Sequence, residues 1–446
     1  MLPPLSPQAR AFRGSLLHFL GDPGSNATGA GPDSSYQYFD DGLLVVDQGL
    51  VQALDETRLL LPHLPGQIEV LDLRGKLLMP GFVDTHLHYP QVDVIASPGS
   101  QLLDWLERYT FPAEGRFGDP EHAREVAEFF LDELLRNGTT TGLVFGSVHR
   151  QSVDVFFEAA ERRNLRMVAG KVMMDRNCPE YLRDTPESAE RDVRALLERW
   201  GQSGRLGYAI TPRFAPTSSE AQLAVAGRLA RAHPEAWIHS HLAETPAEVA
   251  WVRELFPDSR SYLDVYHRFG LLRERAIYAH CIWLDDDDRR RMAASGAAAA
   301  FSPTSNLFLG SGLFDIEAAD SAGMRFAVAT DVGGGTSFSM LRTLSEAYKV
   351  AQLRGHFLSP LRAFYLATLG GARALGLDHA VGNFVIGREA DFVVIDFAAH
   401  ALLARRAALA DTLAERLFAL MMLGDDRVVS ETYVMGKALW GRRATP

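Results

Sequence analysis

Between about Met79 and Leu375 the chain passes through eight short apolar runs, each ending in polar or reactive residues and each followed by a segment of helical periodicity. The runs are Leu78–His86, Thr140–Phe145, Met167–Met173, Gly207–Ile210, Trp237–His241, Ala276–His280, Ala298–Phe301 and Phe326–Thr330. Between them, segments such as Glu121–Leu135, Pro186–Trp200, Ser219–Ala232, Pro246–Leu255, Asp285–Ala294 and Met340–Gln352 carry apolar residues three and four apart, as helices covering a sheet do. Such alternation marks parallel βα units, and eight of them close a barrel. The expected class is therefore α/β, a (β/α)8 TIM barrel.

The flanks read differently. Short apolar stretches separated by turn residues occur before residue 78 (Leu43–Val46, Val51–Ala53, Ile68–Leu73) and again after Val381 (Phe384–Ile386, Phe392–Ile395, Thr432–Met435). Neither flank has enough strands for a core of its own, so the two are expected to pair into one composite β-sandwich. This divides the chain into residues 1–78, the barrel at 79–380, and residues 381–446.

A chain of 446 residues, 47% apolar and 23% charged, has material for a large enzyme core. Its 45 basic and 56 acidic residues leave a net charge of −11, which opposes binding to nucleic acid or an anionic bilayer and points to a small-molecule partner. No leader-like segment or membrane-length apolar run stands out, and the two cysteines, Cys178 and Cys281, form no CxxC pair, so a reducing cytoplasm is expected.

The first barrel run ends in Pro80-Gly-Phe-Val-Asp-Thr-His-Leu-His88. In a strand, side chains two apart share a face, so His86 and His88 can converge on one divalent metal. A catalytic metal needs three or four ligands and an open position for water, and later run ends offer His241, His280 and Asp331. A single histidine at a strand end is ordinarily structural; several ending successive barrel strands make a site. His239 and His241 are also two apart, and the later one lies nearer the barrel mouth, which favours His241 as ligand and leaves His239 inside the barrel. Glu244, just past that strand, suits a proton shuttle, or alternatively a cap for the helix beginning near Pro246. Gly333-Gly-Gly335 lacks the rest of a phosphate-binding motif and reads as a flexible turn beside the site. Asp285–Asp288 reads as a solvated helix start, and Cys281 as buried and inert.

Together, the Pro-Gly-Phe-Val-Asp-Thr-His-Leu-His segment, the distant His241, His280 and Asp331, and the split flanks resemble the amidohydrolase superfamily of metal-dependent barrels. Within it, Thr85–Gln91, Leu103–Glu114, Thr211-Pro-Arg-Phe214 and Thr330–Met340 resemble the guanine deaminases. The resemblance spans essentially the whole chain. It implies one Zn2+ per subunit, with iron as the alternative ion, held by His86, His88, His241 and Asp331, without a carboxylated lysine. His280 would lie close by as a substrate-contacting group, and Glu244 and Asp331 would divide the proton traffic. Gln91 and Arg213 match purine-reading positions, with Phe214 and Trp105 as apolar walls. By itself Arg213 would read as a surface arginine. The implied reaction is the hydrolysis of guanine by water to xanthine and ammonia, in a homodimer. Competing readings are a related aminohydrolase acting on 8-oxoguanine, cytosine, a thiolated adenosine or an s-triazine, and a non-catalytic scaffold on the same barrel.

Overall fold

In the computed structural model, which describes residues 2–25, 27, 34–99 and 101–442, the chain opens with strands β1 (Arg10–Phe19), β2 (Tyr36–Asp47), β3 (Leu50–Glu56) and β4 (Glu69–Pro80). The barrel strands follow: β5 (Phe82–His88), β6 (Thr139–Phe145), β7 (Arg166–Gly170), its short continuation β8 (Val172–Met173), β9 (Gly207–Pro212), β10 (Trp237–Leu242), β11 (Ala276–His280), β12 (Ala298–Phe301) and β13 (Arg325–Val328). The last strands are β14 (Phe392–Asp396), β15 (Val429–Val434) and β16 (Lys437–Gly441). Strands β5 to β13 run parallel in sequence order. The cylinder closes where the segment after β13 meets β5: the Asp331 N–H donates to the His86 carbonyl at 3.0 Å and the His88 N–H to the Val332 carbonyl at 2.5 Å.

The covering helices start where local chemistry starts them. Helix Pro120–Arg136 has Asp119 accepting from the Glu121 N–H and proline at its first position, and it buries Ala123, Val126, Ala127, Phe130, Leu131 and Leu134 on one stripe. Helices Pro186–Trp200 and Pro246–Leu255 each begin with a proline behind a threonine cap that closes a reciprocal capping box. The active-looking strand ends consequently share one rim, because in a βα barrel every strand points the same way.

Strands from both flanks join one seven-stranded sheet in the order β16-β15-β14-β4-β1-β2-β3, with β14 antiparallel to β4. Phe392 and Tyr433 stack at 4.4 Å inside this unit, and Phe12 packs edge-on against both. Four details depart from the sequence reading. The run Leu78–His86 divides at Gly81: Leu78–Pro80 finishes β4, and a Cβ at Gly81 would lie 2.2 Å from Thr140 Oγ1. The run Met167–Met173 breaks at Lys171, whose buried ammonium pairs with Asp184. Phe384–Ile386 is not a strand; it lies between Gly382 and Gly387, both at positive φ, with Phe384 buried against His18 and Ile386 exposed. The C-terminal flank also carries helices Ala401–Ala407 and Leu413–Leu423, which its β-like patterning hid. Among the described residues no helix is long and apolar enough to cross a membrane.

Candidate active site

Four imidazoles and a carboxylate meet at the carboxyl end of the barrel. His86 and His88 leave β5 on the same face, with their Nε2 atoms 3.1 Å apart, and His241 Nε2 from β10 lies 3.2 Å from that of His88. Asp331 Oδ1 sits 3.0 Å from His86 Nε2 and 3.5 Å from His88 Nε2. Burial holds His86, His88 and His241 below the ordinary imidazole pKa, so each is neutral, the form that binds metals. His241 Nδ1 must donate to the Arg213 carbonyl at 2.6 Å, which leaves its Nε2 with a bare lone pair. Lone pairs pressed together with no proton between them repel unless a cation lies among them. The donor atoms accordingly form two overlapping groups close enough to hold a metal ion, His86 with His88 and Asp331, and His86 with His241 and His280.

The site is braced from behind. His239 Nε2 lies 2.8 Å from His86 Nδ1 and orients that ring, so the histidine deeper in the barrel serves the one at its mouth. Asp84 accepts from the Thr330 hydroxyl at 2.5 Å, the Thr330 N–H at 3.1 Å and the His86 N–H at 3.3 Å, tying β5 to the segment that carries Asp331. Burial outweighs these donors and pushes the Asp84 carboxyl up to about 7.

A second group stands beside the donors. His280 Nε2 faces Glu244 Oε2 at 3.4 Å and Asp331 Oδ2 at 3.9 Å. Burial opposes protonation of His280, but the two carboxylates outweigh it and hold its pKa above the ordinary value. Burial raises the Glu244 carboxyl. His280 Nδ1 bonds Asn306 Oδ1 at 2.8 Å, and the Ser311 hydroxyl donates to Glu244 Oε1 at 2.7 Å. Both His280 (φ 73°) and Asp331 (φ 52°) occupy the left-handed backbone region, which is uncommon for non-glycine residues.

His88, His241, Glu244, His280 and Asp331 line one pocket together with Gln91, Arg213, Phe214 and Trp105. Arg213 and Glu114 form a buried ion pair, with Nη1 at 2.8 and 2.6 Å from the two carboxylate oxygens, and Gln91 Nε2 donates to Glu114 Oε1 at 2.9 Å. Trp105 donates its indole N–H to the Ser97 carbonyl and turns its ring to the pocket. The candidate ligands, Glu244, His280 and the four candidate substrate-contacting residues are thus brought together at one place, while Asp285–Asp288 and Cys281 lie outside the pocket lining. With the geometry in view, residues 77–439 match the amidohydrolase family.

The chain belongs to the amidohydrolase family. Among its relatives is the guanine deaminase of Escherichia coli (strain K12), 52% identical over 409 residues that cover 92% of this chain and 93% of that protein. The solved E. coli guanine deaminase superposes with a TM-score of 0.94 at 50% identity, covering 97% of this chain and all of that one. A guanine deaminase from C. acetobutylicum, solved with guanine bound in its active site, superposes at 0.87 with 27% identity, over 97% and 100% of the two chains. The chain therefore sits among the guanine deaminases of this family.

Within this amidohydrolase site, sequence reasoning passed over Asp84, Thr330, Asn306, Ser311 and Glu114 as individual residues. None has a motif of its own; Asp84, Glu114 and Thr330 fell inside segments already noted for their resemblance, whereas Asn306 and Ser311 did not. Glu244 does not cap the helix at Pro246: Thr245 is the cap, and Glu248 closes the box while accepting from the Glu244 N–H at 2.8 Å. Gly333–Gly335 is a close-packed turn, since a Cβ at Gly333 would lie 2.3 Å from the Gln91 carbonyl oxygen and one at Gly335 would lie 1.7 Å from that of Thr330. Asp285 caps helix Asp286–Ser295, and Cys281 is buried with its thiol pushed up by burial.

Proposed function

We propose that the protein hydrolyses guanine to xanthine and ammonia, using one zinc ion held by His86, His88, His241 and Asp331. The observation that carries this reading is the arrangement of one pocket: the donor cluster and the His280–Glu244 pair at its base, and the Arg213–Glu114–Gln91 array at its side. When bound, such an ion supplies a water whose pKa is lowered to about 7 and which can attack at neutral pH.

The chain's own residues then have distinct tasks. Asp331 Oδ2 accepts a proton as water adds to C2 of the base. Glu244, buried and with one oxygen fixed by Ser311, carries a proton to ring N3, which removes the charge that would otherwise build on the ring. His280, flanked by both carboxylates, holds the incoming oxygen in line and keeps the two proton carriers apart. The amino nitrogen is a poor leaving group until protonated, and the same carboxylates deliver that proton before C2–N cleavage. Arg213 and Gln91 bind O6 and the adjoining ring nitrogen, while Phe214 and Trp105 wall the ring and exclude water. Adenine has no O6 acceptor and would leave the buried guanidinium unsatisfied, which is the basis of discrimination. The two cysteines, which form no CxxC pair, support a cytoplasmic location, and the family resemblance supports a homodimer, which light scattering of the purified protein tests.

The decisive experiment measures xanthine and ammonia formed from guanine by purified protein of known metal content, alongside cytosine, 8-oxoguanine and an s-triazine. Xanthine formation that is lost on chelation and restored by zinc is expected. Metal-replete protein that forms no xanthine would overturn the assignment.

A further inference from the structure

Glu114, on the helical segment Leu102–Gly115 that also carries Trp105, bonds the two pocket-lining residues Arg213 and Gln91. It is 1% exposed and Arg213 is 2% exposed, so the pair persists only because its hydrogen bonds offset the loss of water. The bonds of Arg213 to Glu114 both use Nη1, the guanidinium lies over the Phe111 ring at 5.4 Å, and among the described residues no side-chain bond engages Nε or Nη2, which leaves them to a ligand in the pocket that Arg213 lines. Gln91 is constrained more tightly. An ionised carboxylate only accepts hydrogen bonds, so the group Gln91 turns toward Glu114 at 2.9 Å is its NH2, and its amide oxygen is left as an acceptor.

We propose that Glu114 is a positioning residue that sets base selectivity by fixing the hydrogen-bond polarity of the recognition edge: donors from Arg213 beside an acceptor from Gln91. This inference rests on the reading of the site as a guanine deaminase and deepens it. Guanine presents the complement, an O6 acceptor beside an N1–H donor. A 6-aminopurine presents the reverse, an amino donor beside a bare N1. With a neutral amide at position 114 in place of the carboxylate, Gln91 is free to rotate by half a turn and offer its NH2 instead.

The test compares guanine with 2,6-diaminopurine, which keeps the 2-amino leaving group and N3 but reverses the edge. In zinc-loaded Glu114→Gln the ratio of kcat/KM for guanine over that for 2,6-diaminopurine should fall at least about tenfold, the worth of one hydrogen bond to a charged group. Zinc content should match wild type. Glu114→Asp keeps the carboxylate and should preserve the ratio to within about threefold even if KM rises. Gln91→Met leaves the Arg213–Glu114 pair intact, guards against a Glu114→Gln protein that fails to fold, and should lower the ratio likewise. An unchanged ratio in Glu114→Gln, or in Gln91→Met where that protein does not fold, would overturn the role of Glu114. Wild-type protein that yields no xanthine would instead overturn the functional assignment beneath it.

Discussion

Replacing Gly333 by alanine tests whether the glycine turn holds the recognition edge in place. A Cβ there would stand 2.3 Å from the Gln91 carbonyl oxygen, 3.1 Å from its carbonyl carbon and 3.0 Å from its Cβ. The nearest of these contacts is about 1 Å too short, and the atoms it meets are mainly backbone, which cannot swing aside as a long side chain would. Gln91 lies in the hydrogen-bonded turn Tyr89–Val94 directly after His88, so the strain moves that turn as a body. Overpacking of this kind costs about 1–3 kcal/mol of stability. A displacement of about 1 Å at a group that orients the substrate lowers kcat/KM up to about 100-fold. The assay is steady-state deamination of guanine by metal-loaded Gly333→Ala, with urea denaturation in parallel. Gly66→Ala, whose added methyl would meet nothing within 4 Å, serves as the control and should stay within about 0.5 kcal/mol of wild type. A Gly333→Ala enzyme within about threefold of wild type in kcat/KM and equal in stability would refute the argument.

Three further outcomes are expected. Arg213→Ala should abolish guanine turnover while leaving bound zinc near wild type, and should cost about 3–5 kcal/mol in denaturation because Glu114 is left buried without its partner; loss of zinc would contradict the role assigned to Arg213. Ser311→Ala removes a 2.7 Å bond to the Glu244 carboxylate and should reduce kcat/KM about 10- to 100-fold, again at unchanged metal content. His18 carries a pKa lowered to about 4, by burial against a weaker opposing bond to Gln37. The unfolded chain therefore takes up this proton first as pH falls. The contribution is fully present above about pH 6.5, declines from there toward pH 4, and amounts to about 2 kcal/mol between pH 7 and pH 5. Urea midpoints at those two pH values should show this slope in wild type and a reduced one in His18→Gln.

How much was legible in advance depended on the range of the signal. The helix at Pro186–Trp200 and that at Pro246–Leu255 came out with the bounds expected, because apolar spacing, proline and the capping threonine all lie within the element itself. The HxH pair was readable because period two is a local property of a strand. Phe384–Ile386 misled for the same reason: it has a strand's composition, but its loop meets β3 only through scattered bonds such as the Gly387 N–H to the Val51 carbonyl and the bridge between Leu50 and Glu389, and nothing local reveals a missing ladder. Glu114 lies 99 positions from Arg213 and 23 from Gln91, distances over which sequence carries no physical trace of contact.

From the chain alone follow the eight βα units, the shared rim of their strand ends and the residue types able to bind a metal, since these rest on periodicity and on the uniform direction of parallel strands. Only tertiary structure decided that His239 backs His86, that Asn306 and Ser311 orient His280 and Glu244, and that Glu114 fixes the donors and acceptors facing the pocket. Such pairings are made by closing the cylinder, which brings distant segments within hydrogen-bond reach in a space too dry to leave a polar group unpaired.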